Sequence, residues 1–271
     1  MTQTLILAGC GKMGEAMLSG WLERGMSPSD INIVEPDEQT AVRLRAKYGT
    51  NTHTEPKNIN INNSPDFVIF AVKPQMMDKV APEYARFTGP NTTFLSIAAG
   101  KPVSYFQKKL GDDAIIIRAM PNTPAAIRRG ITVAFPNSHV SDAQRMACGE
   151  LLKSVGTVEW VDDEGMIDAV TALSGGGPAY VFFLVEVMAE AGIKAGLPSA
   201  LAERLARETV SGAGELLRQS DEDPAILRIN VTSPAGTTEK ALDVLMADDG
   251  MRPLMIKAVA AAKKRSKELA D

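Results

Sequence analysis

A short β-rich run, Thr4–Ala8, leads directly into Gly9-Cys10-Gly11-Lys12-Met13-Gly14, and a helical pattern over Met13–Arg24 follows at once. This strand, glycine string and helix restrict the fold more than any other feature of the chain. The three glycines have separate tasks: a tight turn, room for a pyrophosphate against the backbone, and close packing of helix on strand. The helix start then offers free N–H groups and a partial positive charge to phosphate. By itself such a string often marks only a turn, but its place after a strand and before a helix selects dinucleotide binding. Gly9, Cys10, Gly11, Lys12, Met13 and Gly14 are therefore the expected cofactor-binding residues.

The alternation continues over about the first 160 residues, as a doubly wound α/β sheet requires. Ile31–Glu35, Phe67–Val72, Thr92–Ile97, Ala114–Ala119 and Ile131–Phe135 read as further strands, with a last one near Thr157–Val161. Several are continuously apolar, as strands covered on both faces tend to be. Asp37–Lys47 and Ser141–Ser154 read as helices, and parallel strands need such crossovers. After Asp162 the texture changes to helices alone: Met166–Leu173, Ala179–Ala195, Ser199–Leu217, Pro224–Val231, Thr238–Met246 and Met251–Glu268. Pro178, Pro198, Pro224 and Pro253 fall near helix starts, where a missing N–H matters little. The expected division is a Rossmann-type domain over 1–162 and an all-helical dimerisation and substrate domain over 163–271. So Ala-rich a helical half packs closely and leaves apolar surface for a partner subunit, which favours an intertwined homodimer over a self-contained helical cap.

Composition narrows the function classes. With 45% hydrophobic residues the chain buries a full core without staples, and its net charge of −4 lacks the basic footprint of a nucleic-acid binder. Cys10 and Cys148 lie far apart and imply neither a disulfide framework nor a metal site, so a cytoplasmic location is expected. The beginning of the chain does not read as a signal peptide. No uncharged apolar run reaches the roughly 18 residues of a membrane span, and the most apolar stretch, Ala179–Val185, reads as a buried helix. His53 and His139, the only histidines, sit in polar loop contexts without a metal-ligand cluster. No nucleophile elbow supports acyl transfer.

Glu35 ends the second expected strand, about 20 residues past the glycines, where a carboxylate can bind the ribose hydroxyls of NAD and repel the extra phosphate of NADP; a solvent-facing strand end redirected by Pro36 is the alternative. Ala71-Val72-Lys73-Pro74 leaves the third strand at its carboxyl end, the edge where open α/β sheets bind ligands. Lys73 there is a cofactor contact or a solvated loop lysine. Arg118-Ala119-Met120-Pro121-Asn122-Thr123-Pro124 sits at another strand end, and its two prolines stiffen the loop. It positions a carboxamide or is merely a turn. In the helical half, Ser174-Gly175-Gly176-Gly177-Pro178-Ala179 marks a break, a hinge or a close backbone approach. Thr232-Ser233-Pro234-Ala235-Gly236-Thr237-Thr238-Glu239 precedes a helix, and its hydroxyls and N–H groups make a carboxylate cradle, with Ser233 or Thr237 as an alternative N-cap.

These blocks together resemble the pyrroline-5-carboxylate reductase family over nearly the whole chain. The resemblance rests on Gly9–Gly14, Ala71–Pro74, Met120–Pro124, Ser174–Ala179 and, most specifically, Asp223-Pro224 with Ser233–Thr238. It implies a nicotinamide-dependent reduction of a cyclic imine to proline, in a homodimer whose dimers in some members build a decamer. It implies a substrate carboxylate on Ser233 and the N–H groups of Ala235, Gly236 and Thr237. Thr238 would act on the ring nitrogen, Pro121 and Asn122 would flank the cofactor, and Lys73 would lie close by. Two departures stand out. Ala235 replaces a usual glycine, which costs about 1–2 kcal/mol if the position needs positive φ. Glu35 stands where NADPH-preferring members carry small polar residues, so NADH is favoured, with NADPH as the alternative.

Imine reduction needs no strong base, because the cofactor carries the hydride and the protein aligns the partners. Thr238→Ala is expected to cut turnover and leave nicotinamide binding nearly intact. A β-hydroxyacid or imine dehydrogenase of similar plan would place a lysine or aspartate on the first long helix, where this chain has Ser174-Gly175-Gly176-Gly177 and Lys194 lies too far along. A non-catalytic redox sensor would not need the Ser233–Thr238 block.

Overall fold

The computed structural model describes residues 3–59 and 64–269. Strand β1 (Leu5–Ala8) is followed by helix α1 (Lys12–Glu23), β2 (Ile31–Val34), α2 (Glu38–Tyr48), β3 (Asn51–His53) and β4 (Phe67–Phe70). Then come α3 (Met77–Val80), β5 (Thr93–Ser96), α4 (Val103–Leu110), β6 (Ile115–Met120), β7 (Gly130–Pro136), α5 (Asp142–Lys153) and β8 (Gly156–Trp160). Among the described residues the strands form one sheet in the order β3-β2-β1-β4-β5-β6-β7-β8. The apolar strands are covered on both faces. Leu5, Leu7 and Ile69 join Met17, Leu18 and Trp21 in one core, while Ile6, Val68 and Phe70 join Tyr84, Phe94 and Phe106 in the other. The strand order reverses beside β1, which places a ligand crevice at the carboxyl ends of β1 and β4.

Three differences from the sequence reading have physical causes. β7 runs antiparallel to β6, with Arg118 opposite Phe135, because the short 3-10 turn Thr123–Ile127 between them cannot make a crossover. β3 escaped notice because Asn51-Thr52-His53 is polar and three residues long. His53 thus lies on a strand, with its Nε2 3.3 Å from Asn32 Oδ1, and not in a loop. α4 carries its apolar spacing at Val103, Phe106 and Leu110, but eight residues between Pro102 and Gly111 are too few to stand out.

The helical half contains α6 (Met166–Val170), a π-helical turn (Thr171–Gly175), α7 (Gly177–Lys194), α8 (Ser199–Gln219), α9 (Pro224–Asn230), α10 (Thr237–Leu245) and α11 (Met251–Glu268). The π turn ends on Gly175, and Gly176, at a bend, separates it from α7. The chain divides into two compact units, one ending at Gly175 and including the segment from Lys263, the other spanning Gly176–Ala262. The texture changes earlier, near Asp162. Composition reports secondary structure, whereas α6 packs on β6 and β7 and Ser266 Oγ donates to Asp168 Oδ1 at 2.7 Å.

Within the second unit α7 packs along α8, and a Cβ on Gly192 would stand 3.2 Å from that of Ala202. Ala179–Val185 is not buried as expected: Phe182 and Phe183 are each 62% exposed on the single chain. A groove of about 740 Å³ lies between α7 and α11, lined by Phe183, Leu184, Val187, Leu254 and Met255. By length and composition alone Met166–Lys194 also meets the requirement for a membrane span, with mean hydropathy 1.4. The sequence reading, which looked for an uncharged run, missed this because Glu186 and Glu190 lie at its end.

Candidate active site

The glycine loop is built for a close neighbour. Gly9 has φ of +83°, a conformation that excludes most side chains, and a Cβ there would stand 2.5 Å from Val72 Cγ1. A Cβ on Gly14 would stand 2.9 Å from the Gly9 carbonyl oxygen, so α1 can approach β1 only with glycine. Gly11 is different: its Cβ position meets no protein atom within 4 Å. Gly11 is also the N-cap of α1 and supplies no side chain to cap it, which leaves the first-turn N–H groups as donors. The residues fit a pyrophosphate.

Around this loop the sheet edge is tied together. Gly9 N–H donates to the Val34 carbonyl and Ala71 N–H to the Ala8 carbonyl, each at 2.9 Å. Glu35 follows β2, and its carboxylate accepts the Cys10 N–H at 3.2 Å. Cys10 is 3% exposed, and burial, aided by the charges of Glu15 and Glu35, pushes its thiol up to about 12. It stays protonated and is no nucleophile. Sequence reasoning missed Glu15, in the first turn of α1. It accepts from Arg43 through both carboxylate oxygens, from Lys47 and from Tyr48. The Arg43 hydrogen bond chiefly, with Lys47 and Tyr48, holds the Glu15 carboxyl down at about 2 against the opposing effect of burial. The readable signal was Arg43 and Lys47 at i, i+4 on α2.

Ala71 and Val72 lie against the glycine loop, Lys12 and Lys73 are exposed, and Met13 and Pro74 are half-buried. Pro121 is buried, whereas the Asn122 side-chain oxygen turns back to accept the Ile131 N–H at 2.9 Å. Its oxygen is thus engaged within the turn. Met120 meets the glycine run: a Cβ on Gly175 would stand 2.6 Å from Met120 Cε. Two of the blocks quoted above are therefore neighbours.

In the second unit, Ala235 has φ of +57°, so the alanine occupies the left-handed region that a glycine would adopt without strain. Gly236 sits at φ −83° and is needed for space, since its Cβ would stand 2.9 Å from the Ser233 carbonyl oxygen. It is also the N-cap of α10; neither Ser233 nor Thr237 caps the helix. The Ala235 N–H donates to the Glu239 carboxylate and the Gly236 N–H to the Ser233 carbonyl. Two of the three N–H groups expected to hold a carboxylate are thus engaged locally. Ser233, Thr237 and Thr238 are exposed at the helix start. Among the described residues no group of three or more His, Cys, Asp or Glu could hold a metal ion.

Comparison with known proteins gives this arrangement a family. Residues 164–269 match the family model described as pyrroline-5-carboxylate reductase dimerisation, and residues 4–100 match that of NADP oxidoreductase, coenzyme F420-dependent. The chain is 37% identical over 270 residues to the pyrroline-5-carboxylate reductase of Pseudomonas aeruginosa, covering 100% of this chain and 98% of that one. It belongs to the pyrroline-5-carboxylate reductase family. The structure of the family's Coxiella burnetii protein superposes with a TM-score of 0.93 at 34% identity, covering both chains completely. That of the Plasmodium falciparum pyrroline carboxylate reductase, solved with NADP bound, gives 0.83 at 25% identity, covering 99% of this chain and 98% of that one. Membership of the pyrroline-5-carboxylate reductase family thus spans both the glycine loop and the α10 start.

Proposed function

We propose that the chain reduces 1-pyrroline-5-carboxylate to L-proline, the last step of proline synthesis, with hydride from NADH or NADPH. One observation carries the reading: a member of this family, matched over 98% of its Pseudomonas aeruginosa relative, has both the glycine loop shaped for a pyrophosphate and the hydroxyl-rich start of α10. The bound dinucleotide supplies the hydride. Gly9–Gly14 hold its phosphates, with Ala71–Pro74 and Met120–Asn122 beside it. Ser233 and the N–H groups from Ala235 to Thr237 receive the substrate carboxylate, which requires the Ala235 N–H to exchange Glu239 for substrate. Thr238 donates to, or relays a proton toward, the ring nitrogen as hydride reaches the imine carbon.

Glu35 favours NADH, since its carboxylate stands beside Cys10, where the extra phosphate of NADPH would meet like charge. The reductase works as a homodimer, because the apolar groove and the exposed Phe182 and Phe183 need a cover and lie within the dimerisation match. A decamer built from dimers is the higher assembly the resemblance implies. Residues 1–162 serve the cofactor and 163–271 the substrate and partner. Buried free thiols at Cys10 and Cys148 suit the cytoplasm, and the net charge of −4 suits neither a nucleic acid nor an anionic membrane as partner. The test is the loss of nicotinamide absorbance when protein meets pyrroline-5-carboxylate, run separately with NADH and NADPH. Proline forms with at least one; dinucleotide that binds without being oxidised would point to a sensor instead.

A further inference from the structure

Helix α4 begins behind Pro102, which offers no side-chain cap. The acceptor comes from far along the chain: Glu164 Oε1 accepts the Val103 N–H at 2.8 Å. The same oxygen accepts from Arg118 Nη1 at 3.0 Å. Arg118 stands on β6 between Ser96 of β5 and Phe135 of β7. It is 4% exposed, and its Nη2 has no hydrogen-bond partner among the described residues. Arg118 is buried and Glu164 half-buried, and an apolar pair of similar volume often serves stability as well as such an ion pair. What the ion pair adds is a fixed distance and direction between β6 and the segment at Glu164.

That segment grips the same strand end a second time. It runs from Glu164 through α6 into the π turn, where Thr171 Oγ1 donates to the Ile167 carbonyl at 2.8 Å and Ser174 Oγ to the Val170 carbonyl at 3.1 Å. The turn delivers Gly175 against Met120. Glu164 and Gly175, at the two ends of one helical segment, therefore fix Arg118 and Met120. These residues are two apart on β6, so they share a sheet face. Pro121 and Asn122 follow directly.

We propose that Arg118 and Glu164 are a positioning pair for hydride transfer, holding the end of β6 so that Met120–Asn122 seats the nicotinamide in one orientation. The proposal rests on the reduction argued above; the pair acts through the loop, not on the reacting atoms.

The test compares kcat, the KM for the dinucleotide and the deuterium isotope effect on kcat, using a nicotinamide deuterated at both C4 positions. Glu164→Gln keeps an acceptor for the Val103 N–H and removes the ion pair. It lowers kcat by about ten-fold, the scale expected of a slight misalignment. The dinucleotide KM stays within about two-fold, because the glycine loop that sets it is untouched. The isotope effect rises as hydride transfer becomes rate-limiting. Arg118→Lys keeps the charge but not the planar fork and gives an intermediate isotope effect; it also serves if Glu164→Gln does not fold. A lower melting temperature with wild-type kcat per folded molecule, or a lower kcat with an unchanged isotope effect, would make the pair structural only and overturn the proposal. Failure of the wild type to reduce the imine would instead strike the reduction itself, and that is seen before any variant is made.

Discussion

The carboxylate of Glu35 accepts the backbone N–H of Cys10 at 3.2 Å, so the residue after β2 and the glycine loop after β1 form one unit. Its other oxygen accepts the Asp37 N–H at 3.3 Å, which fixes the charge in place. A phosphate arriving there meets like charge. The expected outcome is a higher kcat/KM with NADH than with NADPH, and Glu35→Gln narrows that ratio by about ten-fold. Steady-state kinetics with both cofactors decide it, and an unchanged ratio removes Glu35 from cofactor selection.

Gly11 and Gly14 separate binding from folding. A methyl at Gly11 enters open space, so Gly11→Ala leaves the melting temperature nearly unchanged yet weakens dinucleotide binding by crowding the pyrophosphate. A methyl at Gly14 meets the Gly9 carbonyl at 2.9 Å, so Gly14→Ala destabilises the fold by about 1–3 kcal/mol. Thermal melts and fluorescence titration with NADH give both quantities.

Ala235 at φ +57° holds a conformation that disfavours a Cβ. Ala235→Gly releases that strain, partly offset by the freer unfolded chain, and stabilises the protein by about 1 kcal/mol. Urea denaturation measures it; destabilisation would show that the loop does not sustain positive φ in solution.

Glu15 couples pH to stability. Its carboxyl falls from the ordinary 4.5 to about 2 on folding, so between these values the unfolded chain binds more protons than the folded one. The Glu15 contribution is complete above about pH 4.5 and is lost as pH falls toward 2. Glu15→Gln flattens this part of the profile in urea titrations at graded pH.

The doubly wound sheet was legible because short apolar runs such as Phe67–Phe70, alternating with helical patterns, read as strands covered on both faces, and the glycine loop because it lies between a strand and a helix. The reversal of β7 was hidden: direction depends on how far the chain travels between Met120 and Gly130, not on the strand residues. Ala179–Val185 read as buried because hydropathy reports a need for cover, not whether the same chain supplies it. The hydroxyl-rich helix start at Ser233–Thr238 was legible, but the bond from Ala235 N–H to Glu239 depends on a side-chain rotamer that no pattern encodes. Arg118 and Glu164 are far apart in sequence, and only the packing of α6 on β6 brings them together.

The central claim is direct passage of hydride from nicotinamide to the imine carbon. Mass and NMR analysis of proline made from pyrroline-5-carboxylate, with a dinucleotide deuterated at both C4 positions, tests it most directly. The account predicts one deuterium, on the ring carbon next to nitrogen that does not bear the carboxylate. Proline without deuterium at that carbon, or no proline at all, would contradict it.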